Sequence, residues 1–191
     1  MIGYLINILE GIVEAPDAVS ITEEVTPAGV TVFRVTTTNE SDMGKLLGKG
    51  RRMKEALSTC LYAKAMATGK GKVKVYICKS LANAEPMQIK NGIKKGKKKT
   101  VQYLREIVDG IVEKPDAVNI TEEVTSDGVT IFRVTTTNAS DMGRLIGKNG
   151  HVKWAMGACL YAKAMMAGEG KSKVYIEDIH PISKNLTSNN I

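Results

Sequence analysis

The chain contains an internal repeat that covers almost its whole length. Residues 2–78 align without gaps to residues 101–177 at a shift of about 99 residues, and about two thirds of the aligned pairs are identical. For example, Pro16-Asp17-Ala18-Val19 recurs as Pro115-Asp116-Ala117-Val118. A unit of this length exceeds the roughly 20–50 residues of a solenoid repeat, so each copy is expected to fold as its own domain. We predict domains at 1–78 and 101–178, a linker at 79–100 and a polar tail at 179–191.

The hydrophobic pattern predicts the same elements in each copy. In copy one, residues 2–14 show helical spacing, residues 19–25 and 30–37 are typical of strands, and residues 73–77 alternate as a third strand. Between these strands lie a short helix that Ser41 would cap and a longer helix at about 51–67. The order is helix, strand, strand, helix, helix, strand. Copy two repeats it, with its third strand near 171–177.

The longer helix of copy one is apolar around most of its circumference. From Ala56 to Ala67 its only charged residue is Lys64. Such a helix must be covered on more than one side. We expect one side to pack on its own sheet and the other to meet a partner domain.

A glycine-containing loop separates the two adjacent helices of copy two. It reads Gly147-Lys148-Asn149-Gly150. The first glycine is expected to end the short helix in the left-handed conformation, and the second to let the backbone pass close to a bulky group. The next helix would begin with free backbone N–H groups, which suit a phosphate. The Gly-x-x-Gly pattern by itself is weak evidence, since chance matches are common.

The positive charge is concentrated between the copies. The chain carries a net charge of +7, and residues 79–100 contain seven lysines against one glutamate. A basic segment indicates contact with nucleic acid or another anionic surface. The alternative is a solvated, mostly disordered spacer that charge repulsion keeps extended.

Composition argues against several other classes of protein. The three cysteines form no Cys-x-x-Cys pair, and with two histidines a metal site is not expected. We find no nucleotide-binding glycine motif and no histidine-paired nucleophile, so we expect no catalytic residues, no enzyme activity and no cofactor. Cys60 and Cys159 lie among apolar residues and should be buried and inert. The apolar start of the chain lacks a basic region, so we expect a cytoplasmic protein without membrane contact.

Both copies resemble the small bacterial single-KH RNA-binding proteins of the KhpA family. The residues that carry the resemblance are Pro115 to Val118 and the run from Asp141 to Gly150, with Pro16 to Val19 and Asp42 to Lys49 in copy one. The resemblance implies an α+β fold of two tandem type II KH domains, each a three-stranded sheet with helices packed on one face. The tandem arrangement is a departure, since the family resembles one copy only.

The resemblance also implies an RNA-binding role for particular residues. KH domains hold about four unpaired nucleotides, with the loop on the backbone and the bases over an apolar groove. In this chain the groove floor would include Leu145, Ile146 and Val152, which are also candidates for ordinary core, and the edge of strand 129–135. The predicted RNA-binding residues are Gly147, Lys148, Asn149, Gly150, His151, Arg144 and Lys153 in copy two, and Gly48, Lys49, Gly50, Arg51, Arg52 and Lys45 in copy one.

Copy one departs from the loop pattern. It has Arg51 where copy two has Gly150. If that position needs a positive φ, Arg51 is strained by about 1 kcal/mol, unless the special conformation moves to Gly50. Copy one therefore either binds through its extra cations or has drifted after losing the function. Trp154 of copy two, opposite Glu55 of copy one, would either cover the groove or pack between the domains.

Three functions remain open at this stage. The first is a non-catalytic protein that binds single-stranded RNA, such as an RNA chaperone or post-transcriptional regulator. The second is a KH-fold interaction or assembly module in ribosome maturation or cell-envelope regulation, with another KH-family protein or the ribosome as partner. The third is binding of single-stranded DNA. The two copies could form an internal pseudo-dimer, and the chain could form a homodimer.

Overall fold

The computed structural model describes residues 1–79 and 98–178 and shows two units with the same order of elements. In the first half these are α1 (Ile2–Glu10), β1 (Val19–Val25), β2 (Thr31–Thr37), α2 (Glu40–Leu47), α3 (Arg52–Ala67) and β3 (Val73–Lys79). In the second half they are α4 (Thr100–Asp109), β4 (Val118–Val124), β5 (Thr130–Thr136), α5 (Ala139–Ile146), α6 (His151–Ala167) and β6 (Ser172–Asp178). The α+β class predicted from the sequence is confirmed.

Each half contains one three-stranded mixed sheet. In the first half β1 pairs antiparallel with β2, and β2 pairs parallel with β3, so β2 is the central strand. The second half repeats this arrangement with β5 in the centre. Phe33 and Val35 on β2 are fully buried, because alternate side chains of the strand face the helices. The prediction that strand 129–135 offers an edge to the groove is wrong, since parallel pairing with β6 places this strand inside the sheet.

Several predicted helix boundaries differ from the structure. The first helix ends at Glu10 rather than residue 14, and a 3-10 turn at Pro16–Ala18 leads into β1. The predicted cap Ser41 lies inside α2, whose N-cap is Asn39; the Asn39 side chain accepts a hydrogen bond from the Asp42 N–H. Asn138 caps α5 in the same way. An asparagine is as good a cap as a serine, so the sequence pattern did not separate the two candidates.

The two halves pack against each other through their helices. The long helices α3 and α6 lie side by side, and α1 contacts α4. Tyr103 donates a hydrogen bond to the Ile8 carbonyl at 2.9 Å, and Tyr4 donates one to the Ile107 carbonyl at 3.0 Å. Burial raises the pKa of both phenols, so each keeps the proton that it donates. The second packing partner predicted for the apolar helix, α3, is therefore the other half of the same chain.

Few residues of the predicted linker are described. Of residues 79–100, the structure describes Lys79 at the end of β3 and residues 98–100; the rest, like the tail 179–191, lie outside the described residues. Lys98 forms ion pairs with Glu10 at 3.3 Å and Glu106 at 3.0 Å, one in each half. Burial of the ammonium lowers its pKa, but the two carboxylates outweigh this effect and raise the pKa overall.

The cysteines give a first testable prediction. Cys60 and Cys159 are fully buried between α3 and α6, whereas Cys78 is partly exposed. A hydrogen bond with Cys159 and burial together raise the pKa of Cys60, which keeps its thiol protonated and unreactive at neutral pH. We expect one thiol per chain to react promptly with Ellman's reagent in the native protein, and all three after denaturation. A Cys78→Ser variant should lose the prompt reaction, and three prompt thiols in the native protein would contradict the burial of the pair.

Candidate nucleic-acid interface

The loop of the second half is an exposed turn between α5 and α6. Gly147 has φ 69° and ψ 171°, and a Cβ at this position would lie 2.4 Å from Val152 Cγ2. Positive φ was expected at this glycine, but the extended ψ differs from the left-handed helical value that we predicted. This backbone region is open essentially only to glycine. The chain can therefore turn sharply from one helix into the next.

The tip of this loop presents polar groups to solvent. Lys148 and Asn149 are exposed, and Asn149 and Gly150 have φ values of 54° and 75°. The Gly150 N–H donates to the Gly147 carbonyl at 3.1 Å. Within residues 1–79 and 98–178, no acceptor is found for the backbone N–H groups of Lys148 and Asn149. Two unpaired amides beside an ammonium group form a natural site for a phosphate oxygen.

The second glycine of the loop has a different role from the one predicted. A Cβ added at Gly150 meets no heavy atom within 4 Å among the described residues. Glycine is therefore favoured at this position by the positive φ and not by close packing.

The first half builds the same turn with an arginine. Gly48 has φ 67° and ψ 166°, as Gly147 does, and both Gly50 and Arg51 have positive φ, at 62° and 64°. The special conformation was expected at either Arg51 or Gly50, and it occurs at both. Arg51 adopts the left-handed conformation at a cost of about 1 kcal/mol. The loop shape is therefore kept although the glycine pattern is lost.

The predicted cations are not equally available. Lys45 forms ion pairs with Glu14 at 2.6 Å and Asp42 at 3.6 Å, and Arg144 pairs with Glu113. By contrast, Lys49, Arg51 and Arg52 are exposed, and so are Lys148 and His151. Within the part of the chain that the structure describes, no ion pair involves any of these five. Of the predicted cations, those at the loop tips and helix starts are therefore free of ion pairs and can meet a polyanion.

A groove runs beside the first loop, between the start of α3 and the edge strand β3. It encloses a cavity of about 450 Å³. Arg51, Lys54 and Glu55 line its helix side, and Val73, Val75 and Tyr76 line its strand side. Of the residues predicted to floor the second-half groove, Leu145 and Val152 belong to the core, and Ile146 is 38% exposed. In the first half, this groove is bounded by the third strand and not by the second.

Sequence reasoning missed the tyrosines of the edge strands. In the first half Lys54 and Arg34 each lie 5.6 Å from the centre of the Tyr76 ring. In the second half Lys153 and Arg133 lie 5.5 and 5.8 Å from the Tyr175 ring. An exposed aromatic ring can stack a base, and Lys54 or Lys153 beside it can neutralise a phosphate, whereas Arg34 and Arg133 are paired with carboxylates. The sequence did contain an indication of these residues, since tyrosine occupies a solvent-facing position of the alternating third strand in both copies.

The order of elements and the loop geometry are consistent with a KH-like unit in each half. Residues 101–176 match the family model described as KhpA/KhpB, KH domain. This match supports a KhpA-like KH domain in the second half of the chain. A search of curated proteins found no match.

Among the described residues, no group of three or more His, Cys, Asp or Glu side chains could hold a metal ion. None of the described helices is both long enough and apolar enough to cross a membrane.

Proposed function

We propose that this chain is a non-catalytic protein that binds single-stranded RNA through the Gly147–Gly150 loop and the adjoining start of α6, and that residues 1–79 form a second, divergent KH-like unit. The observation that carries the proposal is the exposed turn at Lys148 and Asn149 with its two unpaired amides. The family match to residues 101–176 supports the same class of ligand.

The first half contributes mainly charge in this proposal. Lys49, Arg51 and Arg52 form an exposed cationic edge on a loop of similar shape. Because these cations would bind phosphate groups and not base edges, they would add affinity with little sequence preference. A role as an RNA chaperone or post-transcriptional regulator would suit such modest selectivity.

The interaction-module hypothesis rested on the apolar surface of α3. In the structure α6 covers much of this surface, so an external partner is no longer needed to explain it. RNA is therefore a better supported partner than the ribosome, another KH protein or a second copy of this chain.

The loop is tested by adding one negative charge at its tip. Asn149→Asp keeps the shape of the side chain, and aspartate tolerates positive φ. We expect it to weaken binding of a labelled single-stranded RNA about tenfold in a fluorescence-polarisation titration, because a carboxylate then faces a phosphate. Lys148→Asp should weaken binding further, and Gly150→Asp should act similarly, since Arg51 shows that a side chain fits there.

Ser126→Asp is the matched control. Ser126 is exposed in the turn between β4 and β5, and the backbone carbonyl of Lys171, just past the end of α6, accepts a hydrogen bond from the Thr130 N–H beside this turn. The control therefore lies about one helix length, about 25 Å, from the loop. It should change affinity less than twofold. Equal affinity of all variants would remove the loop from the interface, and so would an affinity independent of salt. The same titration with single-stranded DNA distinguishes the two nucleic acids.

A further inference from the structure

A second groove lies between the first loop and the long helix of the other half. It encloses a cavity of about 500 Å³, within the range of roughly 300–1,000 Å³ that is usual for small-ligand sites. Lys49, Arg52 and Met53 line one side, and Trp154, Tyr161 and Met165 line the other. The groove is thus composite: its cations come from the first half and its aromatic rings from the second.

This composite groove is distinct from the groove beside β3. Residues 54, 55 and 58 of α3, with Arg51 just before the helix, share the side toward β3, while residues 52 and 53 point to the other side. The two grooves therefore flank the same helix start. A single nucleic-acid strand that crosses the tip of the first loop can enter either groove.

The composite groove exposes large apolar side chains next to unpaired cations. Trp154, Tyr161 and Met165 are 41%, 45% and 52% exposed. They follow α6 at helical spacing over 11 residues, about 17 Å. Lys49 and Arg52 at the loop end form no ion pair within the described residues. Flat rings beside free positive charges complement a nucleotide, which joins a planar base to a phosphate.

The corresponding surface on the other side of the molecule has different chemistry. At the shift of 99 residues, Trp154 corresponds to Glu55 and Ala158 to Thr59, whereas Tyr161 and Met165 correspond to Tyr62 and Met66. Glu55 would repel phosphate and offers no ring for stacking. Of these two surfaces, the one between the first loop and α6 therefore has the additional ring of Trp154 and lacks the negative charge of Glu55.

We propose that the composite groove holds one or two unstacked bases of a single-stranded nucleic acid, with phosphates on Lys49 and Arg52 and a base against Trp154. This inference rests on the proposed RNA-binding function. It assigns the first half, whose loop lacks the second glycine, a binding surface completed by the second half.

Trp154 is the only tryptophan of the chain, so its fluorescence reports directly on the groove. The experiment titrates the full-length protein with fluorescein-labelled single-stranded RNA and follows polarisation, while a parallel titration with unlabelled RNA follows tryptophan emission. We expect emission to be quenched with the same midpoint as the polarisation change. Met165→Glu should weaken binding about tenfold, because it replaces an apolar side chain of the groove with a negative charge that repels phosphate. Met66→Glu, the matched change on α3, should alter affinity less than twofold.

The outcomes separate this inference from the function on which it rests. Polarisation without tryptophan quenching, or equal effects of Met165→Glu and Met66→Glu, would overturn the composite site while RNA binding stands. The groove would then be left to a protein partner. Absence of a polarisation change with any RNA would overturn both proposals. Both glutamate variants replace exposed methionines, and a native circular-dichroism spectrum verifies that each is folded.

Discussion

Replacing Gly11 with alanine is expected to destabilise the protein by about 2–3 kcal/mol, because the added methyl group overpacks the contact between the two halves. A Cβ at Gly11 would lie 2.3 Å from Tyr103 Cε2. The Tyr103 ring cannot move aside easily, since it is only 1% exposed and its hydroxyl is bound to the Ile8 carbonyl. Gly11 itself has ordinary helical dihedral angles, so the substitution adds no backbone strain. Urea unfolding followed by circular dichroism measures the effect.

Gly44→Ala is the control for this prediction. Gly44 lies inside α2, and a Cβ there meets no heavy atom within 4 Å among the described residues. Alanine is the better helix former, so this variant should gain about 0.5–1 kcal/mol. Combining Gly11→Ala with Tyr103→Leu should cost less than the sum of the two single changes, because the smaller side chain makes room. Simple additivity would show that the contact is not the cause.

Asp141→Ala is expected to destabilise the protein by about 3 kcal/mol, because it leaves buried backbone donors without an acceptor. Asp141 is fully buried, and its two carboxylate oxygens accept hydrogen bonds from the Glu113 and Lys114 N–H groups at 2.8 and 3.0 Å. Asp42 makes the same pair of bonds to Glu14 and Ala15 in the first half. Each aspartate ties the segment before the first strand to the helix that leads into the loop.

The control for this prediction is Asp116→Ala in the same half. Asp116 is exposed, and its removal should change stability by less than about 0.5 kcal/mol. Asp141→Asn should fall between the two, because the amide keeps one acceptor oxygen but turns its NH₂ group toward the other backbone donor. Guanidinium unfolding of the three variants gives the order, and equal stability of Asp141→Ala and Asp116→Ala would exclude the proposed anchoring.

The sequence predicted the elements well and their spatial relations poorly. Repetition and hydrophobic spacing placed the strands to within two residues, since a buried face imposes its period on the sequence. The central position of β5 was missed because strand order depends on pairing between distant segments, which periodicity does not record. The buried role of Asp42 and Asp141 was missed because an aspartate at a helix start has an ordinary surface explanation.

The candidate site was predicted in part. The loop residues follow from the glycine spacing, and the structure places Lys148 and Asn149 at an exposed turn. The ion pairs of Lys45 and Arg144 could not be predicted, because their partners Glu14 and Glu113 lie about 30 residues away in the chain. The composite groove requires knowledge of how the halves pack, and for Trp154 the sequence offered two interpretations, a cover for the groove or packing between the domains.

Joining the two halves in one polypeptide has an evolutionary consequence. In a dimer of identical chains every substitution appears twice, on both sides of the symmetry axis. Here Arg51 stands in one turn while Gly150 remains in the other, and a tryptophan in one half corresponds to a glutamate in the other. One half of this chain can therefore change its surface while the corresponding surface of the other half stays the same. A single molecule can then present two different surfaces to one ligand.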